Sequence, residues 1–93
     1  MLVQAHLTIQ GKVQGVYFRW STVQQARQHN LTGWVRNRTD GSVEALLEGD
    51  QQQVAKVVKW CHKGPPDARV DSVKVNYAEA TGKFATFEIV PTI

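Results

Sequence analysis

Between Val3 and Ile9 the chain alternates, with Val3, Ala5, Leu7 and Ile9 apolar and Gln4, His6 and Thr8 polar. A period of two predicts a strand with one buried face. Gly33 to Arg36 and Ser42 to Glu48 are also strand-like, and the Asp40-Gly41 turn signal between them predicts a hairpin. Val73, Val75 and Tyr77 alternate with Lys74 and Asn76, and Phe87 and Ile89 flank Glu88, which predicts a fourth strand and a short fifth one at the edge. Elsewhere the period lengthens. Val54, Val57, Val58 and Cys61 follow the i, i+3, i+4, i+7 spacing of a helix face, with Asp50 placed to cap it and Gly64-Pro65-Pro66 to stop it. Phe18, Thr22, Val23 and Ala26 form a thinner stripe that predicts a helix over Phe18–His29, closed by a left-handed Asn30.

The order β-α-β-β-α-β plus an edge strand is the split βαβ pattern of a ferredoxin-like α/β (α+β) sandwich, with two helices covering one face of an antiparallel sheet. A right-handed crossover through the first helix makes the first two strands parallel, so their carboxyl ends share one edge of the sheet. With the third strand between them they lie about 10 Å apart. Asn37, at the end of the second strand, is therefore expected beside the loop that leaves the first.

Composition narrows the class. A chain of 93 residues, 42% hydrophobic and with only Gly 7 and Pro 3, is read as one domain spanning 1–93. The net charge of +3 favours anionic partners in general but is too small and too evenly spread to point to nucleic acid. The opening MLVQAHLTIQ alternates and does not run apolar, so neither a signal peptide nor a membrane span is expected, and a single cysteine suits a reducing compartment. The chain is read as cytoplasmic and monomeric. His6, His29 and His62 fall on a strand's polar face and two helix ends and do not converge as metal ligands, while Cys61 continues an apolar stripe as a buried structural thiol. Trp20, Trp34 and Trp60, with Phe84 and Phe87, are read as filling the core or covering the sheet, and the aromatic signature of an RNA-binding sheet is missing.

Candidate chemistry sits in GKVQGVYFRW, residues 11 to 20, which holds two glycines and no acidic side chain. It matches neither common nucleotide-loop pattern. It does feed a helix N-terminus, where unpaired backbone N–H groups and the dipole favour an anion. Gly15 lets the backbone curl into a nest, and Arg19 can add a permanently charged, bidentate clamp. The competing reading is a tight strand-to-helix connection in which Val16 and Phe18 pack into the core and Arg19 is merely solvated. The residues alone leave both open.

GKVQGVYFR, residues 11–19, followed by GWVRNRTDGSVEALLEG, residues 33–49, resembles the two signature segments of the acylphosphatase family. Gly64-Pro65 and the closing Phe87-Glu88-Ile89 also sit in family order, so the resemblance spans nearly the whole chain. It implies a small hydrolase, free of metal and cofactor, that cleaves the carboxyl–phosphate bond of acyl phosphates. By similarity Arg19 is the phosphate-binding residue, Asn37 holds the attacking water, and the backbone of Gln14, Gly15, Val16, Tyr17 and Phe18 forms the phosphate cradle. Inorganic phosphate, as product, is then expected to compete with substrate, with no role for nucleic acid or membrane. One departure is His29-Asn30, where the family often has Leu-Gly, and it puts the stability of the helix end in question. The expelled carboxylate is already a good leaving group, so a motif without His, Asp or Glu can suffice. The alternative is a non-catalytic phosphate-anion or RNA-binding module using Lys12, Arg19, Arg36 and Arg38.

Overall fold

A computed structural model describes residues 1–93. The elements are β1 (Leu2–Lys12), α1 (Phe18–Gln28), β2 (Thr32–Asn37), β3 (Val43–Asp50), α2 (Gln51–Cys61), β4 (Arg69–Glu79) and β5 (Phe87–Ile89). One sheet forms in the order β4-β1-β3-β2-β5. The third strand thus lies between the first two, as the crossover argument requires. No helix is long and apolar enough to cross a membrane.

The alternation of β1 does what its period predicts. Ala5, Leu7 and Ile9 are fully buried beneath the helices together with Val35, Val43, Ala45 and Leu47. From the other side Val23, Ala26, Val54, Val57 and Cys61 complete the same core. The ferredoxin-like sandwich is therefore formed, with one correction: the sheet is mixed rather than antiparallel throughout, because β5 pairs parallel with β2. The chain leaves β4 at one edge and reaches β5 at the other, so its connection must run along the sheet's end. Glu48 holds it there, accepting from Thr81 N, Thr81 Oγ1 and Gly82 N at 3.0, 2.8 and 3.1 Å and from Gln4 Nε2 at 2.7 Å.

Both strands at the far side run longer than the apolar pattern suggests. β1 continues past an irregularity between Gln10 and Gly11 to pair Lys12 with Arg69. β4 is an edge strand whose outer residues are wet on both faces, so its ends carry no alternation to read. The helix ends follow their local signals. Asp50 Oδ2 accepts from Gln52 N at 3.1 Å at the start of α2. Asn30 adopts φ 57°, and its N–H and that of Leu31 close on the carbonyls of Arg27 and Ala26 at 3.2 and 2.9 Å. That pair of bonds is the Schellman closure, so asparagine completes the stop that glycine commonly makes.

Candidate active site

Between β1 and α1 the backbone passes twice through the left-handed region, at Gly15 (φ 74°) and Tyr17 (φ 64°). A Cβ at Gly15 would meet nothing within 4 Å, so glycine serves the dihedral there and not a close approach. Tyr17 has no such freedom, and a non-glycine residue held there costs about 1–3 kcal/mol. Buried neighbours fix it. The side chains of Val13, Val16 and Phe18 all enter the core. The Phe18 ring lies 5.5 Å from that of Trp60, and a Cβ on Gly64 would come within 2.5 Å of Phe18 Cε2. The packing role and the anion role of this loop are therefore compatible, since one uses side chains and the other uses backbone.

That backbone is rich in free donors. α1 begins at Tyr17 without a capping side chain and with no acid in its first turn. The helix's first internal bond is Ser21 N to Tyr17 O at 3.0 Å, and no N–H from Gly15 to Trp20 donates to an acceptor in the chain. Such a terminus is a ready site for an anion.

Asn37 is brought to this loop. It ends β2 and shares the parity of buried Val35, so it belongs to the helix-covered face, at the end where α1 starts. Gln14 spans the gap, donating through Nε2 to the carbonyls of Arg38 at 2.8 Å and Ser42 at 2.9 Å. The turn after Asn37 is held by Asp40, whose Oδ1 accepts from Ser42 Oγ at 2.6 Å and Ser42 N at 2.9 Å. Those two bonds, the hydroxyl's first, keep the Asp40 carboxyl below its ordinary range. The Asn37 side-chain amide takes no part in closing the turn, while the residue's main-chain carbonyl accepts from Ile93 N at 3.3 Å.

A cavity of about 430 Å³ results, lined by Val13, Gln14, Gly15, Tyr17, Phe18, Arg19, Trp20, Asn37 and Ile89. Of the residues expected from the sequence it unites Arg19, Asn37, Gln14, Gly15, Tyr17 and Phe18, and only Val16 turns away. Its lining contains no carboxylate, and its one charged group, Arg19, enters no ion pair. A larger cavity of about 870 Å³ opens at the opposite end of the sheet, but its lining carries Glu48 and Glu79 and no lysine or arginine. Chemistry rather than size selects the smaller one for an anion. Trp20 and Ile89 were not expected here. Trp20 is 60% exposed, not in the core, and Ile89 becomes a wall only because β5 docks beside β2.

The cations of the nucleic-acid alternative do not gather. Arg36 and Arg38 are drawn to the buried Glu44, at 2.7 and 3.5 Å, on the face away from the helices. His6 Nε2 lies 2.6 Å from the same carboxylate, and the Arg36 guanidinium stacks 4.7 Å above Trp34. Burial alone would raise the Glu44 carboxyl, but the bonds from His6 and Arg36 outweigh it and hold it below its usual range. His29 and His62 bond to carbonyls one turn back in their own helices, Gln25 at 2.8 Å and Val58 at 3.0 Å. Cys61 is fully buried, and the loss of solvent pushes its thiol up to about 12, which leaves it without nucleophilic thiolate.

The acylphosphatase family model matches residues 5–89. This chain belongs to the acylphosphatase family. It is 53% identical over 92 residues to an acylphosphatase of Pyrobaculum islandicum, covering 98% of this chain and 97% of that one. It is 52% identical over 86 residues to an acylphosphatase of Pelotomaculum thermopropionicum, covering 92% and 94%. The crystal structure of acylphosphatase from Bacillus subtilis matches with a TM-score of 0.91 at 34% identity, over 95% of this chain and 98% of that one. Hydrolysis of acyl phosphates is the function of acylphosphatases, and this chain is a hydrolase of that class acting on a small-molecule acyl phosphate.

Proposed function

We propose that the carboxylate-free cavity between the β1–α1 loop and the end of β2 is where the acyl phosphate is cleaved. The phosphoryl group rests on the backbone of Gln14 to Phe18, Arg19 clamps two of its oxygens, and Asn37 holds a water in line with phosphorus. The observation that carries this reading is the meeting, in one cavity, of free N–H donors, an arginine without an ion-pair partner and an amide unused by its own turn. As the water oxygen bonds to phosphorus, the bond from phosphorus to the carboxylate oxygen breaks and the carboxylate leaves with the electron pair. One water proton passes to a nonbridging phosphoryl oxygen. Positioning and charge stabilisation supply most of the catalysis in such a transfer, and fixed N–H groups with one arginine can provide both.

Inorganic phosphate, as product, competes for the same cradle. Residues 1–93 act as one domain and as a monomer, and the lone, buried Cys61 suits the reducing cytoplasm. No group of three or more His, Cys, Asp or Glu side chains is placed to hold a metal. Phosphate release from acetyl phosphate, measured with excess chelator, is expected to match the rate without it. Activity lost on chelation and restored by a divalent ion would overturn the mechanism.

A further inference from the structure

Two large aromatic side chains stand in solvent beside the cavity, Tyr17 at 78% and Trp20 at 60% exposure. Three residues apart across the start of α1, they are neighbours on the same surface. Each lines two spaces. One is the cavity that contains Arg19 and Asn37, and the other is an adjoining groove of about 430 Å³ between α1 and the turn after α2, walled also by Val16, Pro65 and Pro66. The groove is not lined by Asn37, and its one charged residue is Asp67.

We propose that this groove receives the acyl group of the substrate and makes the enzyme favour neutral, apolar and above all aromatic acyl phosphates. The inference rests on the phosphate reading given above. An in-line displacement places the leaving carboxylate opposite the attacking water, so the acyl group must extend away from Asn37. The groove opens from the same cavity through Tyr17 and Trp20 and supplies the apolar surface that such a group needs. Aromatic rings bury large area at low entropic cost, and two rings with two prolines form walls against which a flat group can stack. Asp67 repels an acyl group that carries a second carboxylate. The start of the turn is anchored: Gly64, at φ 71°, leaves the space that the ring of Phe18, the first residue of α1, fills.

The test compares kcat/KM for benzoyl and acetyl phosphate in the wild type, Trp20→Ala and Trp20→Phe, with inhibition by inorganic phosphate as the internal reference. The wild type is expected to favour benzoyl phosphate, and Trp20→Ala to cut that preference about tenfold, mainly through KM, which lies in the range a hydrophobic pocket can discriminate. Trp20→Phe should restore most of it, and phosphate inhibition should change less than about twofold, since the phosphate cradle is untouched. Because Trp20 is exposed, its truncation leaves the core intact, which melting curves verify. A benzoyl-to-acetyl ratio unchanged by Trp20→Ala overturns this inference alone, as does an equal loss on both substrates with weakened phosphate inhibition. Failure of the wild type to hydrolyse either compound overturns the phosphate reading, and this inference with it.

Discussion

The side-chain amide of Gln14 donates to the main-chain carbonyl of Ser42 at 2.9 Å, and through the same nitrogen to Arg38 at 2.8 Å. The loop that offers free N–H groups is thereby fastened to the hairpin whose first strand ends at Asn37. Gln14→Leu keeps much of the side chain's volume but leaves two carbonyls without this donor, so a stability loss of about 1–3 kcal/mol is expected. If the bond also sets the spacing between phosphate and water, kcat should fall about tenfold with KM nearly retained, because a small misplacement is costly at the reacting centre. Denaturant melts and a kcat-against-KM comparison on one preparation check both; a destabilised variant with normal kcat would confine Gln14 to the fold.

Asn37→Ala separates binding from chemistry. The amide carries no turn-closing bond, since Asp40 and Ser42 fill that role. Melting temperature and phosphate inhibition should therefore stay near wild type while kcat drops by about 100-fold or more, as befits an interaction needed mainly in the transition state. A less stable but fully active Asn37→Ala enzyme would remove the residue from the site.

Arg19→Lys keeps the charge but loses the planar fork that matches two phosphoryl oxygens. Activity should fall about 100-fold or more, with phosphate a weaker inhibitor. Phosphate should also raise the wild-type melting temperature, since a ligand at a hundredfold excess over its Kd stabilises the native state by about 2.7 kcal/mol. In Arg19→Ala that shift should shrink or vanish. An equal shift in both proteins would place the phosphate elsewhere.

Acid should loosen the end of the sheet opposite the site. Burial tends to raise the Glu48 carboxyl, but bonds from Thr81, Gln4 and Gly82 outweigh it, so its folded value lies below the ordinary 4.5. The stabilisation is present above the unfolded value and is lost as pH falls through the lowered folded one. Glu48→Gln should therefore be less stable than wild type at pH 7 by about 1.5–3 kcal/mol, with the gap closing as pH falls below the usual carboxylate range. Hydrogen exchange at Thr81 and Gly82 should quicken in the variant. A gap that does not vary with pH would show that Glu48 does not act through its charge.

Gly64→Ala tests the support beneath the loop. The position needs φ 71°, and an added Cβ would come within 2.5 Å of Phe18 Cε2. Strain alone predicts a loss of about 1–3 kcal/mol. A variant as stable as wild type would show that Phe18 yields without cost.

What was legible in the chain is what burial writes locally. Val3, Ala5, Leu7 and Ile9 reported a half-buried strand, Val54 to Cys61 a helix face, Asp50 a cap and Asn30 a stop, because each signal depends on residues one turn or one pleat away. Crossover handedness then carried Asn37 to the loop of Gly15 and Arg19, since chirality permits one arrangement. The remainder depended on contacts between distant segments. β5 runs parallel to β2 because Glu48 leads the connection along the sheet's end, and no property of Phe87, Glu88 or Ile89 encodes that direction. Arg36 and Arg38 look like free cations until the pleat places Glu44 beside them. Trp20 looks like a core aromatic until the left-handed turn at Tyr17, held by the packing of Val16 and Phe18, leaves it outside. Local period records which face is buried; which groups remain unpaired and exposed beside the candidate site is decided only when the whole core closes.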